Sequence, residues 1–437
     1  MNRLIIDRIH IRGLRAHNDS TVTFDAGVNA IVGPNGVGKT NILEAIHMLC
    51  LSRSFLTSKD NVILRRGSSL MEIEGHFTKD AGGSQKVRLA FVPGEGKKLF
   101  VGGSPLERMT DLVGRFPVVV FSPDDQRLTA EGPEFRRRFM DNIISQSSPV
   151  YLDNLLRYRQ VLKQRNELLH ASRRARRTPD EMVLESLTRE LVMPGAAIIA
   201  DRMAFIEAFA KHLDDAHQKI SEVAEKPGIA YAPFGRAGIP EADIDSEDGS
   251  FPKGGITIPN ESREQRARRE KRVFELYADQ LERNRRHEIA RGMTLYGPHR
   301  HELDLTLDGH PVRRFASQGQ HRTYGMALKL AQYDYMQHRR EERPLLLLDD
   351  VFDNLDPARI EAFLAILGSD AIGQSITTAA RREIVHNHLD PSACRTIFVA
   401  RGGEVLEDET SIEKVPPKAT APREEPASPL ADSLTND

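Results

Sequence analysis

The sequence predicts an α/β protein: a phosphate-loop head built from both ends of the chain, with a helical arm inserted between them. Three observations carry this. Gly33-Pro34-Asn35-Gly36-Val37-Gly38-Lys39-Thr40 matches the pattern G-x-x-x-x-G-K-[ST] at every fixed position. Far downstream, Pro344-Leu345-Leu346-Leu347-Leu348-Asp349-Asp350 reads as a buried strand ending in two carboxylates. Between them the chain turns basic and helical. The expected division is residues 1–148 and 293–413 for the two parts of the head, 149–292 for the arm with a loop insert at 232–262, and 414–437 for a disordered tail.

Composition sets the bounds. The 437 residues suffice for one large core or two domains, and 39% hydrophobic with 28% charged residues fits a soluble globular chain. A net charge of −2 decides nothing about nucleic acid, so local basic clusters must carry that argument. Two cysteines, Cys50 and Cys394, make neither a disulfide framework nor a zinc spacing. Met1 to Gly13 alternates apolar and charged residues and does not read as a signal peptide. No apolar run is long enough to cross a bilayer, and the expectation is a cytoplasmic protein without membrane partners.

In chain order, residues 1–30 read as β, with Leu4-Ile5-Ile6, Ile9, Ile11 and Thr21 to Phe24 as the strand signals. Val28 to Val32 is the short buried strand that enters the glycine loop. Asn41 to Leu51 carries Ile42, Leu43, Ile46, Leu49 and Cys50 at helical spacing. Residues 62–122 are strand-rich, with Val87 to Phe91 alternating and Phe116 to Phe121 reading as a buried strand. Helical patterns cover Glu134 to Gln164, Met182 to Val192 and Ala196 to Val223. A Pro- and Gly-rich acidic stretch follows at 232–262, then a charged helix from Ser262 to Arg291. The chain returns to β after Met293, where Leu303, Leu305 and Leu307 alternate. A helix from Thr323 to Gln337 precedes the leucine strand.

The glycines of the loop let backbone N–H groups converge on a phosphate at a helix N-terminus, where the helix adds partial positive charge. Lys39 then reaches the β- and γ-phosphates, and the Thr40 hydroxyl suits Mg²⁺. Asp349 suits the magnesium-water role at the end of a sheet strand, and Asp350 stands where a water-activating carboxylate is needed. Ser317-Gln318-Gly319-Gln320, at the start of a helix, is a second anion-binding turn, which suggests an ATP gripped from two sides. His299-Arg300-His301-Glu302 is read as local hydrogen bonding rather than a metal site.

Phosphate loop, Ser-x-Gly-Gln turn and Leu-Leu-Leu-Asp-Asp together resemble an ABC-type ATPase head. The stretches Gly33 to Ala45, Glu134 to Leu169, Thr294 to Leu305 and Phe315 to Asp356 further resemble the RecF-like family of bacterial recombination proteins, over residues 3–405. The resemblance implies an ATP-dependent DNA-binding protein of recombinational repair and replication restart. Such proteins act at single-strand gaps and blocked forks with RecO and RecR, favouring RecA loading and the SOS response. It implies that Gly33, Pro34, Asn35, Gly36, Val37, Gly38, Lys39 and Thr40 bind ATP and Mg²⁺. Ser317, Gly319 and Gln320 would contact the γ-phosphate from a second copy, so that ATP closes a homodimer. Lys39, Ser317, Asp349 and Asp350 would carry hydrolysis, with Thr40 and Asp349 at the metal, and Asp356 resembles the loop crossing the dimer interface. Three departures imply slow hydrolysis used as a switch. The catalytic carboxylate is Asp350, one methylene shorter than glutamate. The strand at Ser375-Ile376-Thr377-Thr378 ends without the usual histidine. The glutamine-loop position has only Gln126 as a candidate.

Basic clusters at Arg136 to Arg138, Arg173 to Arg177, Arg263 to Arg272, Arg283 to Arg286 and Arg313-Arg314 are candidate DNA contacts, whereas Arg65-Arg66 reads as ordinary surface. Aromatics are only 6% with no Trp, which favours contact to duplex backbone or a duplex–gap junction over base stacking. The alternatives are the ATPase subunit of a transporter, disfavoured by the long separation of Lys39 from Ser317, and an SMC-type tether, which needs far longer coils than residues 149–292 supply.

Overall fold

The computed structural model describes residues 1–80, 82–221, 223–233, 262–352, 357–381 and 394–406. Most of the predicted loop insert, the predicted tail, and Asn354 to Asp356 lie outside these residues.

A six-stranded sheet runs in the order Val405–Leu406, Cys394–Val399, Val28–Val32, Ser375–Ala379, Leu345–Leu348, Val118–Phe121. All neighbours are parallel except the first pair. Strand Val28–Val32, from the start of the chain, thus lies between two strands from its end. The leucine strand is buried along its whole length, which explains its unbroken apolar run: a parallel strand with both faces covered has no polar side. At the Val118–Phe121 edge, the Gln146 side chain accepts from Val118 N–H at 3.0 Å and donates to Val118 C=O at 3.2 Å, closing the first backbone groups of that edge.

A second, antiparallel sheet is centred on Asn2–Leu14, which pairs with His17–Thr23 on one side and Met71–Lys79 on the other; Gly83–Val92, Gly96–Val101 and Ser104–Pro105 extend it. Helix α1 (Lys39–Leu51) packs into the core that both sheets share. Its residues Ile42 to Leu51 are all buried, so the helix is buried around its whole circumference. It approaches the sheet closely at Gly75, where an added Cβ would stand 2.5 Å from Leu49 Cδ1.

The helical layer holds α2 (Pro133–Ser147), α3 (Pro149–Arg174), α4 (Glu181–Ile220), α5 (Arg263–Arg291) and α6 (Gln318–Arg340), followed by α7 (Pro357–Leu367). Tyr158, Ile199, Tyr277 and Tyr324, from four of these helices, share one apolar cluster with Leu346 and Leu348 of the core sheet. A three-stranded sheet of Pro227–Ala232, Glu302–Leu307 and His310–Pro311 lies beside it. Two buried polar knots cross-link the layer. Arg165 of α3 donates to Glu288 of α5 at 2.7 Å and to Thr294 at 2.7 Å. Arg202 of α4 donates to Asp141 of α2 at 2.8 Å, to Tyr151 of α3 at 3.0 Å and to Pro298 C=O at 2.7 Å. Among the described residues no helix is long and apolar enough to cross a membrane.

Within residues 133–223 the helices are divided differently from the sequence reading. The run from Glu134 to Gln164 is two helices, because Ser148 takes an extended conformation (φ −143) and caps α3, with Pro149 at the first helical position. The runs 182–192 and 196–223 are instead one 40-residue helix with Pro194 inside it. Proline removes one ladder bond and crowds the preceding turn. Next to it, Gly195 lets Tyr277 and Tyr158 close in, with ring atoms 2.5 and 3.1 Å from where its Cβ would be, and this packing holds the helix through the break.

Candidate nucleotide site

The phosphate loop follows strand Val28–Val32 and ends in α1. Its shape depends on glycine. Gly36 and Gly38 have φ of 82 and 117, and a Cβ on Gly33 would meet Val399 C=O at 2.2 Å. The N-terminus of α1 has no side-chain cap, which leaves first-turn N–H groups for an anion. Lys39 is only 4% exposed. Its Nζ folds back into the loop and donates to Gly33 C=O at 2.9 Å, Pro34 C=O at 3.2 Å and Asn35 Oδ1 at 3.3 Å. These are weak neutral acceptors for an ammonium, and a phosphate would replace them with charged ones.

The leucine strand delivers Asp349 and Asp350 to the same end of the sheet. Thr40 Oγ1 donates to Asp349 Oδ1 at 2.7 Å, joining the loop to the acidic turn. Burial pushes the Asp349 carboxyl above the ordinary carboxylate range and the Asp350 charge adds to this, against the bonds from Thr40 and Thr378 and the charge of Lys39. A hydroxyl and a carboxylate side by side are the hard oxygen donors that Mg²⁺ takes, so these residues fit that ion. Thr378, at the end of the strand that lacks the usual histidine and with no role assigned to it by the sequence, stands between the two acids. Its Oγ1 is 3.1 Å from Asp349 Oδ1 and 3.1 Å from Asp350 Oδ1, and it accepts from Asp350 N–H at 2.9 Å.

Three further side chains brace the loop from outside the motifs. His17 is buried against Gly38, with Nε2 3.0 Å from Gly38 C=O and Nδ1 3.0 Å from both Ser20 Oγ and Gly403 C=O. Burial holds its pKa below the usual histidine value. Arg15 forks onto Glu44 of α1 at 2.5 and 2.9 Å, and Ser54 donates to the same carboxylate. Arg65 is not ordinary surface: it donates to Ala16 C=O at 2.5 Å, beside the loop. A single polar residue at the end of a strand carries no signal in the sequence, so none of these was legible there.

The Ser317 turn stands apart. Ser317 caps α6, whose true start is Gln318 rather than Thr323, in a reciprocal box: Gln320 N–H donates to Ser317 Oγ at 3.2 Å, and Ser317 N–H to Gln320 Oε1 at 2.6 Å. Gln320 Nε2 donates to Glu225 at 2.7 Å. Ser317 is exposed, and among the described residues neither it nor Gly319 or Gln320 bonds to the phosphate loop. Gln126 is exposed at the head of the short helix Gln126–Ala130, beyond the edge strand.

Of the basic clusters, Arg136 turns inward, bonding Glu302 at 2.9 Å and two backbone carbonyls. Arg266, Arg268 and Arg283 pair with carboxylates four residues away on their own helix. Arg138, Arg313 and Arg314 are exposed. His299 and His301 each hold a tyrosine hydroxyl at 2.6 Å, Tyr158 and Tyr231 respectively.

The sequence model described as RecF/RecN/SMC N terminal domain matches residues 5–403. A DNA replication and repair protein RecF of Salinibacter ruber is 42% identical over 402 residues, 92% of this chain and 91% of the relative. One of Chloroherpeton thalassium is 38% identical over 376 residues, 86% and 95% of the two chains. A solved structure of the recombination mediator protein RecF with ATP, of the RecFOR pathway, superposes with a TM-score of 0.77 at 26% identity, covering 92% of this chain and 97% of that one. A Pyrococcus furiosus Smc head domain superposes at 0.51 with 14% identity, covering 92% and 96%, and so shares the fold alone. The architecture is that of an α/β ABC-type ATPase head, and the chain belongs to the RecF family of the RecF/RecN/SMC group.

Proposed function

We propose that the chain is an ATP-binding protein of DNA replication and repair that uses slow hydrolysis as a switch on gapped DNA, working with RecO and RecR partners to favour recombinase loading and the SOS response. The observation that carries the nucleotide part is the Thr40–Asp349 bond, which brings two motifs 309 residues apart in sequence into one site. In this reading residues 1–148 and 293–413 form the head and 149–292 the arm.

Lys39 leaves its carbonyl acceptors for the β- and γ-phosphates, while Gly33 to Thr40 wrap them with backbone N–H groups. Thr40 and Asp349 would hold Mg²⁺, which would supply charge neutralisation of the phosphates. Asp350 orients the attacking water. Ser317, Gly319 and Gln320 of a second copy complete the γ-phosphate contacts, so binding and dimerisation are one event. The exposure of Ser317, with its capping bonds confined to its own turn and Glu225, supports a turn that presents itself outward.

Arg53, Arg138 and Arg159 support a DNA surface. The Arg53 guanidinium, held below its ordinary pKa first by burial and then by the positive charges of Arg159 and Arg138, bonds neutral Asn142 at 2.8 Å, while Arg159 pairs with Asp141 and Arg138 with Glu134. Such a cluster suits backbone phosphates. The test is binding of a labelled gapped duplex with and without ATP–Mg²⁺ at two salt concentrations. Binding should strengthen with ATP and weaken with salt; no binding under any nucleotide condition would leave an ATPase without its DNA role.

A further inference from the structure

We infer that Thr378 is a positioning residue for hydrolysis: its hydroxyl fixes the orientation of Asp350, the carboxylate that faces the attacking water. The inference rests on the ATPase reading above. It starts from a shortage of protons. One threonine hydroxyl lies within 3.1 Å of two carboxylate oxygens, Asp349 Oδ1 and Asp350 Oδ1, yet it has a single proton to give. Asp349 Oδ1 already receives the Thr40 proton at the shorter distance of 2.7 Å. Asp350 Oδ1 has no other donor among the described residues, so the Thr378 hydroxyl is the one contact there that fixes this carboxylate. Asp350 Oδ2 has no bond among the described residues and is left as the oxygen that accepts from water.

The backbone makes the same assignment. Asp350 sits at φ +45, a left-handed conformation that costs an L residue free energy unless its surroundings hold it. Its N–H donates to Thr378 Oγ1 at 2.9 Å, so one side-chain oxygen anchors both the main chain and the carboxylate of the same residue. That matters more for aspartate than for glutamate. The shorter side chain has one fewer torsion with which to find a water, and its reach is set by where the backbone puts it. Thr378 itself is rigidly placed, 1% exposed in strand Ser375–Ala379, between the strand that enters the phosphate loop and the leucine strand. The strand that ends without a histidine thus offers a threonine that works on the acids.

The test uses the full chain and two substitutions. Thr378→Val keeps the β-branched shape in a buried strand and removes the hydroxyl; Thr378→Ser keeps the hydroxyl. Turnover and KM for ATP–Mg²⁺ with gapped duplex, and the equilibrium Kd for ATP, are measured for both, beside thermal melting. Thr378→Val should lower kcat by about a hundredfold while Kd and KM stay within about threefold, because a misplaced catalytic group costs rate and not affinity. Thr378→Ser should recover kcat to within about threefold of the parent chain. An unchanged kcat in the valine variant, a serine variant as slow as the valine one, or a Kd that weakens in step with kcat overturns the inference. Lys39→Ala separates the two levels: retained ATP binding there overturns the parent reading, whereas lost binding there beside an unimpaired Thr378→Val overturns only this one.

Discussion

At the phosphate loop the polar side chains are met from within the chain: Lys39 by three loop oxygens, Thr40 by Asp349, Asp349 by Thr378. At the Ser317 turn the serine and glutamine satisfy one another and Glu225, and the face of the turn is exposed. Both are glycine-containing turns at helix N-termini, so local physics alone would rank them equal anion sites. Their settings differ. One is wedged between two sheets by side chains from distant parts of the chain; the other bonds within itself and to Glu225, just before the strand Pro227–Ala232. Folding of one chain completes the first, while the second has what it needs only to be presented.

Breaking the buried side should have the largest effect. Lys39→Ala removes the one cation in the loop, and ATP affinity measured by equilibrium binding should fall by at least about a hundredfold, in keeping with the loss of charge-assisted bonds. Ser317→Arg should divide the two regions cleanly. ATP affinity of the single chain should remain within about twofold, since the loop is untouched, while ATP-driven dimers disappear from light scattering because a bulky cation fills the contact. Dimers that persist with ATP would remove the outward role of the turn. Gly403→Ala tests the bracing of the loop: a Cβ there would lie 2.5 Å from His17 Nδ1 at a φ of +78, so stability should fall by roughly 1–3 kcal/mol. Melting temperature and ATP affinity should drop together, with the Ser317 turn unaffected. Glu225→Ala should be the mildest, freeing one donor on Gln320 and weakening the dimer roughly fivefold, the size of about 1 kcal/mol, with ATP binding by the single chain unchanged.

The same contrast explains what could be read in advance. The loop, the leucine strand with its two acids, and the turn at Ser317 are contiguous patterns, each with its own local physics, and they appear where the pattern says. His17 meets Gly403 from 386 positions away, Arg65 meets Ala16 from 49, and Thr378 acts on two acids that end the neighbouring strand; a lone polar residue carries no mark of its future neighbour. Arg136 shows the reverse error. It sits in an Arg-Arg-Arg run that reads as a DNA contact, but helical spacing sends it inward to Glu302 while Arg138 faces out. The runs 182–192 and 196–223 read as separate for a different reason: continuity across Pro194 depends on tyrosines of other helices packed on Gly195, which no local pattern contains.

The strand order of the core sheet has a consequence for biosynthesis. Val28–Val32 leaves the ribosome early, but both of its sheet neighbours, Ser375–Ala379 and Cys394–Val399, come from the end of the chain. At ordinary translation speeds the wait is on the order of half a minute. Throughout it a strand that is fully buried in the finished fold has two open edges, which is a template for mispairing with other chains. The glycine loop is equally incomplete, because Asp349, Thr378 and the Val399 carbonyl have yet to emerge. Nascent chains stalled before residue 375 should therefore capture no nucleotide and should need a chaperone to stay unaggregated, so that the last strands to be made are the ones that switch the site on.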